Sequence, residues 1–178
     1  TSTSMGSRLL GRWINRPVRS RRTLNDRLDS VSALAQNYAY ESLQTPLKQI
    51  GDIERILARV ALKSARPRDL ARLRDALDIL PTLQESLAAF DTELIIALRE
   101  KCAPFPGLCE QLTTAIIENP PVVIREGGVI GPGYDDELDE LRGISENAAD
   151  FLLKLEIEER ESSGLSTLKV GYNRVHGY

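Results

Sequence analysis

The chain has 178 residues, of which 42% are hydrophobic and 28% charged, and its net charge is −3. This composition is that of a folded globular protein with one sizeable core or two small ones. No apolar run approaches the roughly 20 residues that span a bilayer, and the chain does not open with a signal-peptide pattern. We therefore expect a cytoplasmic protein with no membrane partner.

The small net charge conceals two regions of opposite sign. Seven arginines lie within the first 27 residues, opposed there only by Asp26. They are Arg8, Arg12, Arg16, Arg19, Arg21, Arg22 and Arg27. Between Tyr134 and Glu161, eleven Asp and Glu outnumber three Lys and Arg. Duplex-binding surfaces are basic, so the acidic region is not expected to contact DNA. The basic start could contact nucleic acid, but a solvated helix face paired with acidic neighbours is the favoured interpretation.

The first part of the chain is patterned for helices. Apolar residues at helical spacing predict a first helix that Pro17 ends, with Trp13 on its core-facing stripe, and a second helix that begins near Ser20. The next stretch, 37–50, is less clear, because Pro46 suggests a break with a short helix on one or both sides. Asp52 is well placed to cap the helix that follows.

Prolines divide the helices after residue 60. Pro67 ends one helix and can begin the next, whereas Pro81 is either a kink or a boundary. A loop at 104–107 precedes another helix, which carries Leu108 and Leu112. We therefore predict a mostly all-α fold with a multi-helix core.

The sequence pattern changes near residue 120. Two β-branched runs flank a Glu-Gly-Gly turn, whose glycines can supply positive φ angles, and this pattern predicts a small β-hairpin near 122–130. A single long helix is predicted near 135–162, about 40 Å in length. Positions three and four residues apart form a thin, coiled-coil-like seam along this helix. They are Leu138, Leu141, Ser145, Ala148, Leu152 and Leu155.

The last residues, near 168–178, have the alternation of a terminal strand. A lone terminal strand has no partner within the chain, and the first residue is not Met. Both features predict a piece cut from a longer protein. Because a helical arm without its partner exposes its seam, we also expect a dimer or a swapped arm at high concentration.

Motifs for chemistry are missing. The sequence has no phosphate-binding loop and no nucleophile elbow. Cys102 and Cys109, with His176 far along the chain, are too few for a zinc site and are expected to be reduced structural thiols. We expect no catalytic residue, no cofactor site and no metal site, hence no enzyme activity.

Candidates for DNA contact rest on residue type alone. Lys169, Asn173 and Arg174 in the terminal strand could meet phosphates. An exposed strand edge kept soluble by polar residues explains them equally well.

Four blocks of the sequence, in order, resemble the core region of bacterial-type MutS proteins, a family of DNA mismatch-repair proteins. The first block is TSMGSRLL at 3–10 with Trp13 and Pro17-Val18 after it, and the second is GDIERILAR at 51–59 with ARPRDL at 65–70. The third is PPVVIREGGVI at 120–130 with GYDDELD at 133–139, and the last is LKVGYN at 168–173 with VHGY at 175–178. Together they span nearly the whole chain.

The resemblance implies a division into a helical core at 1–133, a lever helix at 134–164 and the start of a clamp domain at 165–178. It implies a non-catalytic segment that couples a DNA clamp to the ATPase of a longer parent, which would bind ATP and Mg. The implied partners are duplex DNA with mismatches, a MutS homodimer partner and a MutL-type repair protein. The alternative is a stand-alone helical coiled-coil scaffold protein unrelated to DNA, against which the unpartnered strand and the four ordered blocks argue.

Overall fold

The structure, a computed structural model, describes residues 1–171 as a mostly helical chain, as predicted. The helices are α1 (Ser4–Asn15), α2 (Arg21–Ala35), α3 (Glu41–Gln49), α4 (Ile53–Ala61), α5 (Pro67–Asp78), α6 (Leu80–Leu87), α7 (Glu93–Lys101), α8 (Pro106–Ala115), α9 (Asp136–Glu146) and α10 (Ala148–Ser163). Two short 3-10 helices cover Gln36–Tyr38 and Ile124–Glu126. One compact unit is Thr1–Gly131, and a second begins at Pro132.

Local sequence signals set five of the helix starts in the described residues. The side chains of Thr3, Ser20, Asp52 and Asp135 each accept a backbone N–H from three residues further on, which satisfies one of the free donors of a first turn. The predicted cap at Asp52 and the predicted start near Ser20 are therefore confirmed. Pro67 is the first residue of α5, where its missing N–H costs nothing.

Three clusters of apolar side chains stabilise the first unit, of which two lie between helices and the third surrounds Ala71, Ile116 and Val129. Helices α3, α6 and α7 contribute Leu43, Leu83 and Ile95 to one cluster, against which α2 also packs. Pro46 is buried in α3 and does not interrupt that helix, although the sequence suggested a break there. Burial of this face explains why the helix continues through a residue that lacks an N–H.

The second cluster is built by α4, α5 and α8. Ile56 of α4, only 2% exposed, packs with Leu73 and Leu77 of α5 and with Leu112 of α8. The chain passes between the two clusters at Gly51, at Ile79 and through 103–105. The boundary between α5 and α6 lies at Ile79, so Pro81 marks a boundary and not a kink within one helix.

The predicted hairpin near 122–130 is wrong. Within residues 1–171, the β pairing is an isolated antiparallel bridge between Ile116 and Ile130. Gly127 and Gly128 do adopt positive φ angles of 76° and 64°, but Ile124 lies in a 3-10 turn and is exposed. The second β-branched run pairs with the end of α8 because Val129 and Ile116 are thereby buried beside Ala71 of α5.

The predicted single helix near 135–162 is broken at Asn147 into α9 and α10. The Asn147 side-chain amide donates to the carbonyl of Gly143 at 3.1 Å, and Asn and Gly both favour such local departures from a regular helix. The seam is uneven: Leu141 is exposed, whereas Leu152 and Leu155 are half-buried.

The terminal strand near 168–178 is not supported either. The described part, 168–171, has no strand, and backbone groups that a ladder would need bind side chains of α10: the Leu168 carbonyl accepts from Arg160, and the Val170 N–H donates to Glu156. The rest of the predicted strand, 172–178, lies outside the described residues.

Division of the chain into core, lever helix and clamp start remains a prediction.

Among residues 1–171, no helix is both long and apolar enough to span a lipid bilayer.

Candidate functional site: arginine braces between helices

Charged side chains, and not buried apolar ones, attach α1 to the core. None of the residues of α1 is buried by the part of the chain that the structure describes. Instead, the Arg8 guanidinium donates two hydrogen bonds of 2.7 Å to the two carboxylate oxygens of Asp52 and one of 2.6 Å to Glu54. Such a forked arrangement is the strongest form of ion pair because it fixes direction as well as distance. Helix α1 is therefore oriented on the first turn of α4.

We call an arginine that joins two segments in this way a brace. The first brace, from Arg8 to Asp52 and Glu54, changes the acidity of Asp52. The hydrogen bonds from Arg8 lower the pKa of Asp52 to about 2, although the loss of surrounding water acts in the opposite direction. The same carboxylate also caps α4 through the N–H of Arg55. One side chain thus begins a helix and holds a second helix against it.

A second brace joins α4 to α5. Arg59 donates from Nε and from an Nη atom to the two oxygens of Asp69, at 2.8 and 2.6 Å. Asp69 is buried and also accepts the backbone N–H of Arg66, which closes the first turn of α5. The hydrogen bonds from Arg59 lower the pKa of Asp69. The loop between the two helices is thus fixed at both ends.

A third brace uses backbone carbonyls as acceptors. Arg74 of α5 donates to the carbonyl oxygens of Ile116, Ile117 and Glu118, at 3.2 to 3.3 Å, and Arg68 donates to that of Pro120 at 3.1 Å. These carbonyls follow α8, where no helix satisfies them. Helix α5 consequently holds the segment that leaves α8.

In the second unit, α10 binds the chain that follows it. Arg160 and Glu156 form an ion pair of 2.6 Å one turn apart. Arg160 also donates from Nε to the Leu168 carbonyl at 2.7 Å, and Glu156 accepts the Val170 N–H at 3.1 Å. Gly164, with a φ of 68°, makes the reversal possible. Two side chains of α10 therefore hold the backbone at Leu168 and Val170 against that helix.

The arginine-rich start is partly neutralised, as favoured from the sequence. Arg22 pairs with Glu93 at 2.7 Å, and Arg8 pairs as described. The predicted core packing of Trp13 is wrong, because its side chain is 37% exposed and lies under the guanidinium of Arg27, 3.6 Å from the ring centroid. Arg27 belongs to α2, so a cation–π contact with that helix takes the place of burial at Trp13.

The sequence candidates for DNA contact are not brought together. Lys169 is exposed, whereas Asn173 and Arg174 lie outside the described residues, so their role stays a prediction. Cys102 and Cys109 are free thiols, and burial raises the pKa of Cys102. Across residues 1–171, no group of three or more His, Cys, Asp or Glu side chains could hold a metal ion.

None of these arginine braces was predicted from the sequence. From the sequence, Asp52 was expected only to cap α4. A carboxylate at the start of a charged helix can also form an ion pair. Arg8 and Asp52 are 44 residues apart, and no local pattern joins residues at that distance.

A comparison with known protein families agrees with this architecture. A protein-family model described as MutS domain III matches residues 1–168 of the chain. The matched range includes the ten α-helices of the described residues and the three braces at Arg8, Arg59 and Arg74. The chain therefore belongs to the MutS family of DNA mismatch-repair proteins, of which it represents domain III.

Proposed function

We propose that this chain is a non-catalytic core and lever segment that couples the DNA clamp of a longer MutS protein to its ATPase. The observation that carries the proposal is the set of arginines that bridge helix junctions, with forked pairs at Arg8–Asp52 and Arg59–Asp69. A bidentate ion pair fixes direction as well as distance, so it is suited to pass a displacement of one helix to the next.

The acidic helices α9 and α10 suit a lever better than a DNA-binding surface. Between Asp136 and Ser163 there are ten Asp and Glu and three Lys and Arg. Such a surface repels the phosphates of a duplex. The tie from Arg160 and Glu156 to Leu168 and Val170 supports a role in which α10 moves the segment entering the clamp.

In this proposal the remaining chemistry belongs to the parent protein. Its ATPase would bind ATP and Mg, its clamp would hold mismatched duplex DNA, and its other partners would be a homodimer subunit and a MutL-type repair protein, all in the cytoplasm. The alternative of a stand-alone coiled-coil scaffold is not favoured, because the match to MutS domain III covers residues 1–168.

The coupling can be tested in the longer protein with Arg160→Ala. Mismatch affinity at equilibrium should change little, whereas the release of DNA triggered by ATP should slow, because α10 no longer moves the segment after Gly164. Stopped-flow fluorescence of a labelled duplex measures the release. Lys154→Ala is the matched control, since Lys154 is an exposed cation on the same helix that forms no ion pair within residues 1–171. Equal release rates in the two variants would contradict the proposal.

The chain alone offers a second test. Fluorescence anisotropy of labelled matched and mismatched duplexes at low salt should show no binding, as expected of a lever whose DNA contacts lie elsewhere. Equal, salt-sensitive binding to both duplexes would instead place phosphate contacts in the arginine-rich start or the clamp root. A preference for the mismatch would overturn the lever assignment.

A further inference from the structure

The first unit, Thr1–Gly131, contains two groups of helices with separate apolar clusters. Helices α2, α3, α6 and α7 form the first helix group, which packs around the cluster that contains Leu43 and Ile95. Helices α4, α5 and α8 form the second helix group, around the cluster that contains Ile56 and Leu112. In the described chain no buried residue belongs to both clusters. Each group is therefore a packed body of its own, and packed bodies move as units.

Side-chain hydrogen bonds and ion pairs follow the same division. In the first group, Arg22 of α2 pairs with Glu93 at the start of α7. In the second group, Arg59 of α4 pairs with Asp69 of α5. Within residues 1–171, no side-chain hydrogen bond or ion pair joins a helix of one group directly to a helix of the other. Polar contacts, like the apolar ones, thus hold each group together from within.

The chain crosses between the groups at three places, and the residues on either side of a crossing pack in different clusters. Cys102 packs on the first cluster and Cys109 on the second. Leu80, the first residue of α6, packs on the second cluster, whereas Leu83, one turn later, belongs to the first. The remaining crossing is at Gly51. Short segments of this kind, at the ends of helices, are where bodies of a protein usually hinge.

A cavity lies beside two of these crossings. Its volume is about 350 Å³, and its lining includes Pro81 of α6, Phe105 of the loop before α8, and Cys109 of α8. A closely packed boundary resists rotation because atoms on both sides would collide. The cavity therefore gives the two groups room to move at Ile79 and at 103–105.

Helix α1 contacts both groups. Arg8 donates to Asp52 and to Glu54 at the beginning of α4, in the second group. Trp13, further along the same helix, lies under the guanidinium of Arg27 of α2, in the first group. Among the described residues, α1 is thus the helix whose ion pairs and cation–π contact reach both groups.

We propose that the two helix groups rotate against each other about Gly51, Ile79 and 103–105, and that α1 is a strut that sets the angle between them. With the fork of Arg8 intact, the strut holds one angle. The rotation requires neither DNA nor ATP. A failure of this inference would therefore leave the proposed coupling function untouched, and the reverse also holds.

The angle between the groups is measured as a distance between two spin labels, by double electron–electron resonance. The whole chain first loses its two native thiols through Cys102→Ala and Cys109→Ala. Labels are then attached at Ala61→Cys, the last residue of α4, and at Ala89→Cys, just after α6. Both positions are exposed, and both lie at the end of a helix that begins at a crossing, so they report a rotation well.

With Arg8 in place, the two labels should give one narrow distance distribution. Arg8→Ala removes the fork and leaves α1 with the longer contact of Arg12 to Glu54, at 3.9 Å. The distribution should then broaden about twofold or more, and identical distributions would overturn the proposal. If Arg8→Ala lowers the helical circular dichroism, Arg8→Lys takes its place, because lysine keeps the charge without the fork and should give an intermediate width.

Label pairs within one group test whether each group is a single body. Ala61→Cys with Gln111→Cys of α8 lies within the second group, and Ala89→Cys with Lys48→Cys of α3 lies within the first. Both pairs should keep their distributions in Arg8→Ala. Broadening within either group would overturn the division into two bodies.

A matched variant separates the strut from any other loss of an ion pair. Arg22→Ala changes the net charge by the same amount as Arg8→Ala, but it removes a 2.7 Å ion pair inside the first group. The distance between Ala61→Cys and Ala89→Cys should stay narrowly distributed in this variant. Equal broadening in Arg22→Ala and Arg8→Ala would overturn the assignment of α1 as the strut.

Discussion

Arg8 and Asp52, 44 residues apart in sequence, meet through two parallel hydrogen bonds of 2.7 Å that fix α1 on the beginning of α4. Helix α1 buries none of its residues within the described chain, so its attachment includes this ion pair, the neighbouring contact with Glu54 and the contact of Trp13 with Arg27 of α2. The ionisation of Asp52 therefore contributes to holding α1 in this orientation.

Acid should release α1 before the core unfolds. The pKa of Asp52 is lowered to about 2 in the folded chain, below the usual value of about 3.9 for an unfolded chain. The stabilisation is therefore complete above about pH 4 and is lost as the pH falls towards 2. Trp13, the only tryptophan, reports α1 by its fluorescence, which should change over this range.

The variant Asp52→Asn isolates the charge, because Asn also caps a helix. At neutral pH its α1 should be less stable than that of the unchanged chain, and this difference should vanish near pH 2. Asp91→Asn, at an exposed carboxylate with no ion pair in residues 1–171, should behave like the unchanged chain. Parallel pH curves for Asp52→Asn and the unchanged chain would show that Arg8 does not hold α1.

Arg74→Lys should destabilise the first unit by about 1–3 kcal/mol. A lysine cannot reach three carbonyl oxygens as a planar fork does, so one or more of the acceptors on Ile116, Ile117 and Glu118 loses its donor. Denaturant unfolding followed by circular dichroism gives the free energy of unfolding. Arg72→Lys, on an exposed side chain two residues away, should leave it unchanged; equal losses in both would refute the role of the fork.

Gly131→Ala should destabilise the same unit, because an added Cβ would lie 2.6 Å from the carbonyl oxygen of Thr114. Backbone must then shift at the bridge between Ile116 and Ile130, at a cost of about 1–3 kcal/mol. Thermal unfolding checks this against Gly107→Ala, whose Cβ would meet open space and which should be neutral or slightly stabilising. If both variants unfold at the same temperature, the close approach at Gly131 is not a constraint.

In the second unit, Gly143→Ala should stabilise α9 by about 0.5–1 kcal/mol, because a helical glycine with open space around it gains from a side chain. Gly164→Ala should do the opposite, since its φ of 68° strains any residue with a Cβ. Amide hydrogen exchange across α9 and α10 resolves the two effects. Slower exchange in Gly164→Ala would contradict the C-terminal reversal at that glycine.

Local chemistry in the sequence determined where several helices begin. Ser20, Asp52 and Pro67 act within one turn of their own position, so their effect can be predicted without knowledge of the rest of the chain. The same holds for the positive φ angles at Gly127 and Gly128. Family membership was also accessible, because the four blocks are ordered sequence motifs and need no coordinates.

Only the tertiary structure decided which distant segments meet. The run at Val129 and Ile130 pairs with Ile116 because that choice buries both sides against Ala71, and a hairpin between neighbours would have left them exposed. Arg8 likewise pairs with Asp52, which is one of fifteen acidic side chains in residues 1–131. Burial and ion pairing depend on distances in space, and short-range patterns in a sequence do not contain those distances.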